Sequence, residues 1–220
     1  MRRVALACAA LLLTGCLLGG GAEAPVERLY FLGAPPSSGP EPGPAAAPRG
    51  PERVWVEPFD ADALLAQDGL VWRRGAVEAG VYADQRWARL PEVAARELVT
   101  AALRSAGVRA ASEPPPATPD LVLRAHLARC EVVTGEDRWA GRVELNVALA
   151  RPDGTELLRR VLRREEPAAL RNPLAAAAAL QRALAELSGE LAREVSAALE
   201  RARAAAGRSL PARSTREGGR

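Results

Sequence analysis

The chain has 220 residues, with 30 basic and 27 acidic side chains and a formal net charge of +3 at pH 7. All the basic residues are arginine, and their number nearly matches that of the carboxylates. A balance of this kind argues against a nucleic-acid-binding protein, which carries a clear excess of positive charge. The length leaves room for one folded domain and additional extended segments.

The first sixteen residues have the layout of a bacterial lipoprotein signal. Arg2 and Arg3 precede an uncharged apolar stretch at 4–13, which is too short to span a bilayer, since that takes about 20 residues. The stretch ends in Leu-Thr-Gly-Cys, which is similar to a lipobox, where the cysteine thiol receives a diacylglycerol group. We therefore predict a signal peptide at residues 1–15 and a covalent lipid on Cys16, whose acyl chains would form a durable anchor. A plain signal peptide with a chance cysteine is the alternative.

The residue after this cysteine bears on the choice of membrane. Bacterial sorting commonly retains lipoproteins with aspartate at this position in the inner membrane, whereas this chain has Leu17. The sequence therefore predicts a lipid-anchored protein on the periplasmic face of the outer membrane.

A segment at residues 33–51 contains seven prolines and shows no apolar periodicity. Together with the anchor it forms a predicted lipidated N-terminus and linker at 16–51. A segment of this length would reach about 60 Å as a polyproline helix, so the sequence predicts a folded part that stands away from the membrane. Residues 52–206 are predicted to fold, and residues 207–220 to form a disordered basic tail.

The folded part is predicted to begin with strands and one helix. A helix at 90–106 is indicated by its apolar periodicity, with Pro91 suited to the first turn and Gly107 at the end. Alternation of apolar residues predicts four strands, the third of them weaker than the others. They lie at 54–56, 69–74, 77–82 and 108–111.

The second half predicts three long strands and a long helix. The strands at 121–133, 139–149 and 155–164 are joined by turns and form an antiparallel meander. The helix begins near Asn172, which can cap it, and one apolar stripe runs along it. The stripe consists of Leu180, Leu184, Leu187, Leu191, Val195 and Leu199. The predicted fold class is α+β, a single domain in which an antiparallel sheet carries two helices on one face.

Two residues with reactive side chains, His126 and Cys130, lie four positions apart on one predicted strand. Side chains alternate along a strand, so this spacing would place both on one face, where a Cys-His dyad is conceivable. A structural histidine and a buried small thiol are the simpler interpretations. No phosphate-loop, zinc-protease or serine-hydrolase motif occurs, and no Cys/His cluster suggests a metal. We therefore predict no catalytic residue, no metal and no cofactor beyond the lipid on Cys16.

A tryptophan flanked by arginines precedes the first predicted helix. Trp87 could pack in the core or, beside Arg86 and Arg89, contact a partner protein, and the sequence leaves both alternatives open. These three residues are the candidate partner-contact residues.

Several short stretches together resemble a known family. They are YFL at 30–32 after the lipobox, a strand ending in Pro58, LVWR at 70–73 and RWARLP at 86–91 opening a helix. In these features the chain resembles the ABC-type transport auxiliary lipoprotein component family, which includes the paraquat-inducible protein C lipoproteins. The chain departs from the family pattern in its longer linker and in the residues that follow Pro58.

This resemblance implies a non-enzymatic accessory protein. Members are encoded with an ABC ATPase, a permease and a mammalian-cell-entry domain protein, in systems that move phospholipid or other hydrophobic molecules between the two membranes. The lipoprotein would dock the periplasmic partner at the outer membrane, and a homo-oligomeric ring is a further expectation by analogy. The rival of another class is a structural or regulatory envelope lipoprotein, for example a peptidoglycan synthase activator. A third hypothesis is an enzyme that uses Cys130 and His126.

Overall fold

The computed structural model describes residues 26–33, 50–115 and 117–208. The predicted signal peptide, Cys16, most of the proline-rich segment and most of the basic tail lie outside the described residues. Two helices are described, α1 (Pro91–Ser105) and α2 (Pro173–Arg208). The described strands are β1 (Arg28–Tyr30), β2 (Arg53–Val56), β3 (Asp60–Ala61), β4 (Gly69–Arg74), β5 (Glu78–Trp87), β6 (Arg109–Ala111), β7 (Leu121–Thr134), β8 (Trp139–Ala150) and β9 (Glu156–Pro167).

The sheet is organised around β7, its longest strand. On one side β8 pairs with β7, and β9 pairs with β8, both in antiparallel register. On the other side β2, β3 and β4 follow one another along β7, and all three run parallel to it. The sheet continues beyond β2 with β6, and beyond β4 with β5 and then β1.

The predicted α+β class with two helices on one sheet is confirmed, and the β7–β9 meander is antiparallel as predicted. The prediction of a purely antiparallel sheet is wrong, because β2, β3 and β4 are parallel to β7, as are β2 to β6 and β1 to β5. Parallel neighbours need a long crossover connection. The chain between β4 and β7 supplies one, since it contains β5, α1 and β6. Apolar alternation reveals which face is buried but carries no information on strand direction.

Both helices pack on the same face of the sheet and against each other. The predicted cap of α2 is present, since the Ala175 backbone N–H donates to Asn172 Oδ1 at 2.8 Å. Pro91 is the first residue of α1, as predicted. All six residues of the predicted α2 stripe are buried against the sheet.

Gly141 on β8 lets the backbone of α2 approach the sheet. A Cβ atom at this position would lie 2.4 Å from the Leu180 backbone nitrogen and 2.8 Å from the Ala179 carbonyl carbon. No side chain fits there without moving the helix. Gly141 therefore lets the helix lie directly against β8 at Ala179 and Leu180.

The segment before the proline-rich stretch belongs to the sheet. β1 pairs in parallel with the end of β5, with Arg28 opposite Gln85 and Tyr30 opposite Trp87. The Gln181 side chain on α2 donates to the Gly33 carbonyl oxygen at 3.0 Å. The proline-rich stretch thus connects β1 to β2 within one sheet. The proline-rich stretch therefore does not provide the expected spacer of about 60 Å between Cys16 and the folded part.

The opposite face of the sheet carries a network of ion pairs. Glu131 on β7 is 2% exposed, and its carboxylate lies 2.8 Å from Arg73 Nε and 3.2 Å from Arg129 Nη1. Glu144 on β8 continues the network toward β9, where it lies 3.0 Å from Arg163 Nε. Many of the acidic and basic side chains of the chain are therefore paired with one another within the fold.

Candidate partner-contact site at the first strand

The three candidate contact residues lie where β5 ends and α1 begins. Arg86 and Trp87 are the last two residues of β5, and Arg89 lies in the short link to α1. β1 runs beside them at the edge of the sheet, and the Ala88 backbone N–H donates to the Tyr30 carbonyl oxygen at 2.8 Å. The structure therefore gathers the three residues around the first strand.

Trp87 is a core residue in this structure. Its side chain is 2% exposed, and its ring meets the Tyr30 ring edge-on with 6.3 Å between centroids. Such edge-to-face pairs add to the stability that burial provides. Of the two alternatives that the sequence left open, the structure places Trp87 inside. Trp87 would then influence partner binding indirectly, by fixing the position of β1.

A buried polar pair reinforces the same junction. The Tyr30 hydroxyl donates to Gln85 Oε1, and both side chains are buried. Burial of a hydroxyl and an amide destabilises the fold unless the two groups are hydrogen-bonded. Tyr30 therefore fixes β1 on β5 by a ring contact and a hydrogen bond, a role that the sequence analysis did not assign to it.

Arg86 ties three segments together on the surface. Its guanidinium donates to Asp68 Oδ1 at 2.7 Å and to Glu27 Oε1. These hydrogen bonds, the one to Asp68 first and then that to Glu27, raise the pKa of Arg86. Because Glu27 precedes β1 and Asp68 precedes β4, Arg86 holds the first strand from outside while Tyr30 holds it from inside.

Arg89 is exposed and pairs with Glu97 on α1. This pair lies beside Phe31, in a shallow groove between β1 and α1 that Leu98 also lines. The predicted role of Arg86, Trp87 and Arg89 in binding a partner stays a prediction. The two arginines are the members of this set that a partner can reach directly.

The second candidate, the pair of His126 and Cys130, is not assembled. The register between β7 and β8 shifts between Leu127 and Arg129, and the extra residue reverses the alternation. Cys130 lies opposite Val143 on the helix-covered face and is 1% exposed, whereas His126 lies opposite Asn146 on the other face, 2.8 Å from Asp62 Oδ1. The expectation that both share one face is wrong.

The electrostatics of Cys130 agree with this placement. Burial, followed by the nearby charges of Glu131 and Glu92, raises the pKa of the thiol to about 12. A thiol of this kind is protonated at neutral pH and a poor nucleophile. Among residues 26–33, 50–115 and 117–208, no group of three or more His, Cys, Asp or Glu side chains could hold a metal ion. Neither described helix has the length and apolar character of a membrane-spanning segment.

A family model described as the ABC-type transport auxiliary lipoprotein component matches residues 36–192. The chain belongs to this family. The resemblance to this family is thereby confirmed. The chain is accordingly an auxiliary lipoprotein component of ABC-type transport.

Solved structures support the same fold. The chain is similar to a protein of Xanthomonas campestris assigned to the DUF330 family model, with 20% identity, a TM-score of 0.65 and coverage of 80% of this chain and 99% of the other. It is also similar to the crystal structure of an uncharacterized protein, with 19% identity, a TM-score of 0.62 and coverage of 77% of this chain and 99% of the other. No curated protein sequence matches the chain. At these identities the similarity shows the fold alone.

Proposed function

We propose that this auxiliary lipoprotein is a non-catalytic docking component of a transport system built around a mammalian-cell-entry domain protein. In this proposal the lipid on Cys16 anchors the protein to the periplasmic face of the outer membrane. The observation that carries the proposal is the family match over residues 36–192. The cargo would be phospholipid or another hydrophobic molecule, passed along by the partner and its ABC permease and ATPase.

The separate positions of His126 and Cys130 support the non-catalytic role. An enzyme that used Cys130 would need the thiolate and an oriented base, yet burial holds this thiol protonated and His126 lies across the sheet. A docking role asks instead for a rigid domain with a surface that a partner can reach. The junction of β1, β5 and α1 offers such a surface at Arg86 and Arg89.

Co-purification of the native lipoprotein from detergent-extracted membranes tests the partner. We expect a mammalian-cell-entry domain protein among the proteins identified by mass spectrometry, and its permease and ATPase with it. Recovery of a peptidoglycan synthase instead would overturn the transport role and support a regulatory envelope lipoprotein.

The contact itself is tested by a charge reversal that leaves the core intact. Arg89→Glu should lower recovery of the partner, because Arg89 is exposed and its replacement also repels Glu97. Arg159→Glu on β9 is the matched control, since Arg159 is likewise exposed and ion-paired. Equal recovery from both variants would place the contact elsewhere. Trp87→Ala is a poor probe, because loss of a buried ring disturbs the fold.

Localisation is tested by separating inner and outer membranes on a density gradient. We expect the protein in the outer-membrane fraction and two acylated groups on Cys16 by mass spectrometry. Cys16→Ser should remove the acyl groups and abolish recovery with the outer membrane. Recovery of the acylated protein with the inner membrane would reverse the proposed location.

A further inference from the structure

Four large apolar side chains are exposed around the first strand. Leu29 and Phe31 alternate with the buried Tyr30 and therefore point to the same, outer side. The other two are Val26, just before the strand, and Leu174, in the first turn of α2. We call Val26, Leu29, Phe31 and Leu174 the N-terminal apolar strip; their exposed fractions are 75%, 59%, 48% and 63%.

Three members of the strip lie close together. Leu29, Phe31 and Leu174 line one shallow groove between β1 and α2. A second groove, between β1 and α1, begins on the other side of Phe31. Exposed apolar residues that are scattered singly need no explanation, but a contiguous set marks a surface that binds a membrane or a protein.

The length of chain between Cys16 and the strip indicates what this surface contacts. Val26 lies ten residues after Cys16, and ten residues cannot reach beyond about 36 Å even when fully extended. By comparison, β7 with its 14 residues is about 46 Å long. The proline-rich stretch adds nothing to this distance, because it follows β1. The strip is thus the part of the described domain that the tether holds nearest to the acylated cysteine.

We propose that the N-terminal apolar strip rests on the lipid surface into which the acyl chains of Cys16 insert. This inference depends on the lipid anchor of the proposed function. Leu29 and Phe31 would enter the headgroup region, together with Leu174 from the same groove. Exposed apolar side chains of this kind are what an interfacial contact with a bilayer buries. The domain would then sit on the membrane by its β1 edge, instead of standing away from it.

Depth-dependent quenching tests the proposal on the full, acylated protein. A fluorophore is attached at Leu29→Cys or Leu174→Cys, and the protein is reconstituted in vesicles of phosphatidylethanolamine and phosphatidylglycerol containing nitroxide-labelled lipid. Only the introduced thiol should react, since Cys16 carries lipid and Cys130 is buried. We expect nitroxide lipid to quench both labels. Labels at Val77→Cys, in the β4–β5 turn, and at Val161→Cys, on the sheet face away from the helices, are the controls and should keep their emission.

Other occupants give different results. Labels at positions 29 and 174 that respond to nitroxide lipid no more than those at 77 and 161 would overturn the proposal. So would self-quenching at position 29 that grows with protein density, which indicates a second copy, or protection only after a partner protein is added. Leu29→Ser combined with Phe31→Ser should weaken quenching of the label at position 174. Undiminished quenching would show that the tether alone brings the domain near the membrane and would overturn the proposal.

Failure of this inference and failure of the proposed function are distinguishable. Mass spectrometry reports acylation of Cys16, and co-purification reports the transport partner. An acylated, partner-bound protein whose position 29 escapes quenching would refute the membrane contact and leave the docking role intact. An unacylated protein would refute both.

Discussion

His126 and Cys130 lie four residues apart on β7 yet point to opposite faces of the sheet. The cause is the extra residue between Leu127 and Arg129, which shifts the register with β8. The thiol therefore enters the core beneath the helices, and the imidazole stays with Asp62 on the charged face. One bulge thus prevents His126 and Cys130 from forming a dyad.

This separation predicts an inert thiol. Cys130 in the folded protein should resist alkylation by iodoacetamide at pH 8, because burial raises its pKa to about 12, and should react once denaturant unfolds the chain. Mass spectrometry of the labelled protein measures the difference. Cys130→Ala should recover the same partner as the natural chain. Rapid labelling of the folded protein, or loss of the partner in a folded Cys130→Ala variant, would revive the enzyme hypothesis.

Glu131 should be the most sensitive carboxylate of the charged sheet face. Glu131→Gln removes the charge that Arg73 and Arg129 share. We expect the free energy of unfolding to fall by about 1.5–3 kcal/mol, the contribution of a hydrogen bond to a charged group. Chemical denaturation measures this change. The control, Glu156→Gln, removes an exposed pair with Arg159 and should change stability little. Equal effects would contradict the special role of burial.

Gly141 should tolerate no side chain. Gly141→Ala places a methyl group against the backbone of α2 at Leu180, and overpacking of this kind lowers the free energy of unfolding by about 1–3 kcal/mol. Gly207→Ala is the matched control, because nothing lies within 4 Å of the added Cβ. It should leave stability unchanged or raise it by up to about 1 kcal/mol through helix propensity. Thermal unfolding of both variants, monitored by circular dichroism, measures the two changes in stability. Equal changes would contradict the close approach of α2 at Gly141.

The pair of Glu52 and Arg203 should make stability depend on pH. Arg203 Nε donates to Glu52 Oε1 at 2.8 Å and joins the end of α2 to the segment before β2. This hydrogen bond lowers the pKa of Glu52 from its ordinary 4.5. The stabilisation is thus fully present above pH 4.5 and is lost as the pH falls through the lowered value.

We therefore expect Glu52→Gln to lower the free energy of unfolding by about 1 kcal/mol at pH 7. The difference from the natural chain should shrink as the pH drops below 4.5. Denaturation curves at several pH values measure it. A difference that persists unchanged in acid would show that the glutamate acts through packing and not through its charge.

Trp87 should matter for its ring and not for its indole N–H. Trp87→Ala should lower the free energy of unfolding by about 3–5 kcal/mol, because the side chain is buried against Tyr30. Trp87→Phe should lose markedly less, since a ring remains and Nε1 has no hydrogen-bond partner in the described part of the chain. Hydrogen exchange of the β1 amides gives a local measure. Similar losses in both variants would show that the full indole is required and that a smaller ring cannot replace it.

Much of the fold follows from local patterns. The alternation on β8, the cap at Asn172 and the stripe from Leu180 to Leu199 each depend on neighbours a few residues away, and the structure confirms all three. The signal layout and the cysteine that follows it are also local. Sequence alone was therefore enough for the α+β class, the helix boundaries and the family.

Other features were decided by contacts between distant residues. The direction of β2, β3 and β4, the place of Trp87 and the membership of β1 in the sheet depend on pairings such as Tyr30 with Trp87 or Asp60 with His126. Periodicity states which side of an element is apolar, but it names neither the partner nor the direction of pairing. Only the tertiary structure could show that residues 28–30, before the proline-rich stretch, form a strand of the sheet, because this depends on the free edge that β5 offers them.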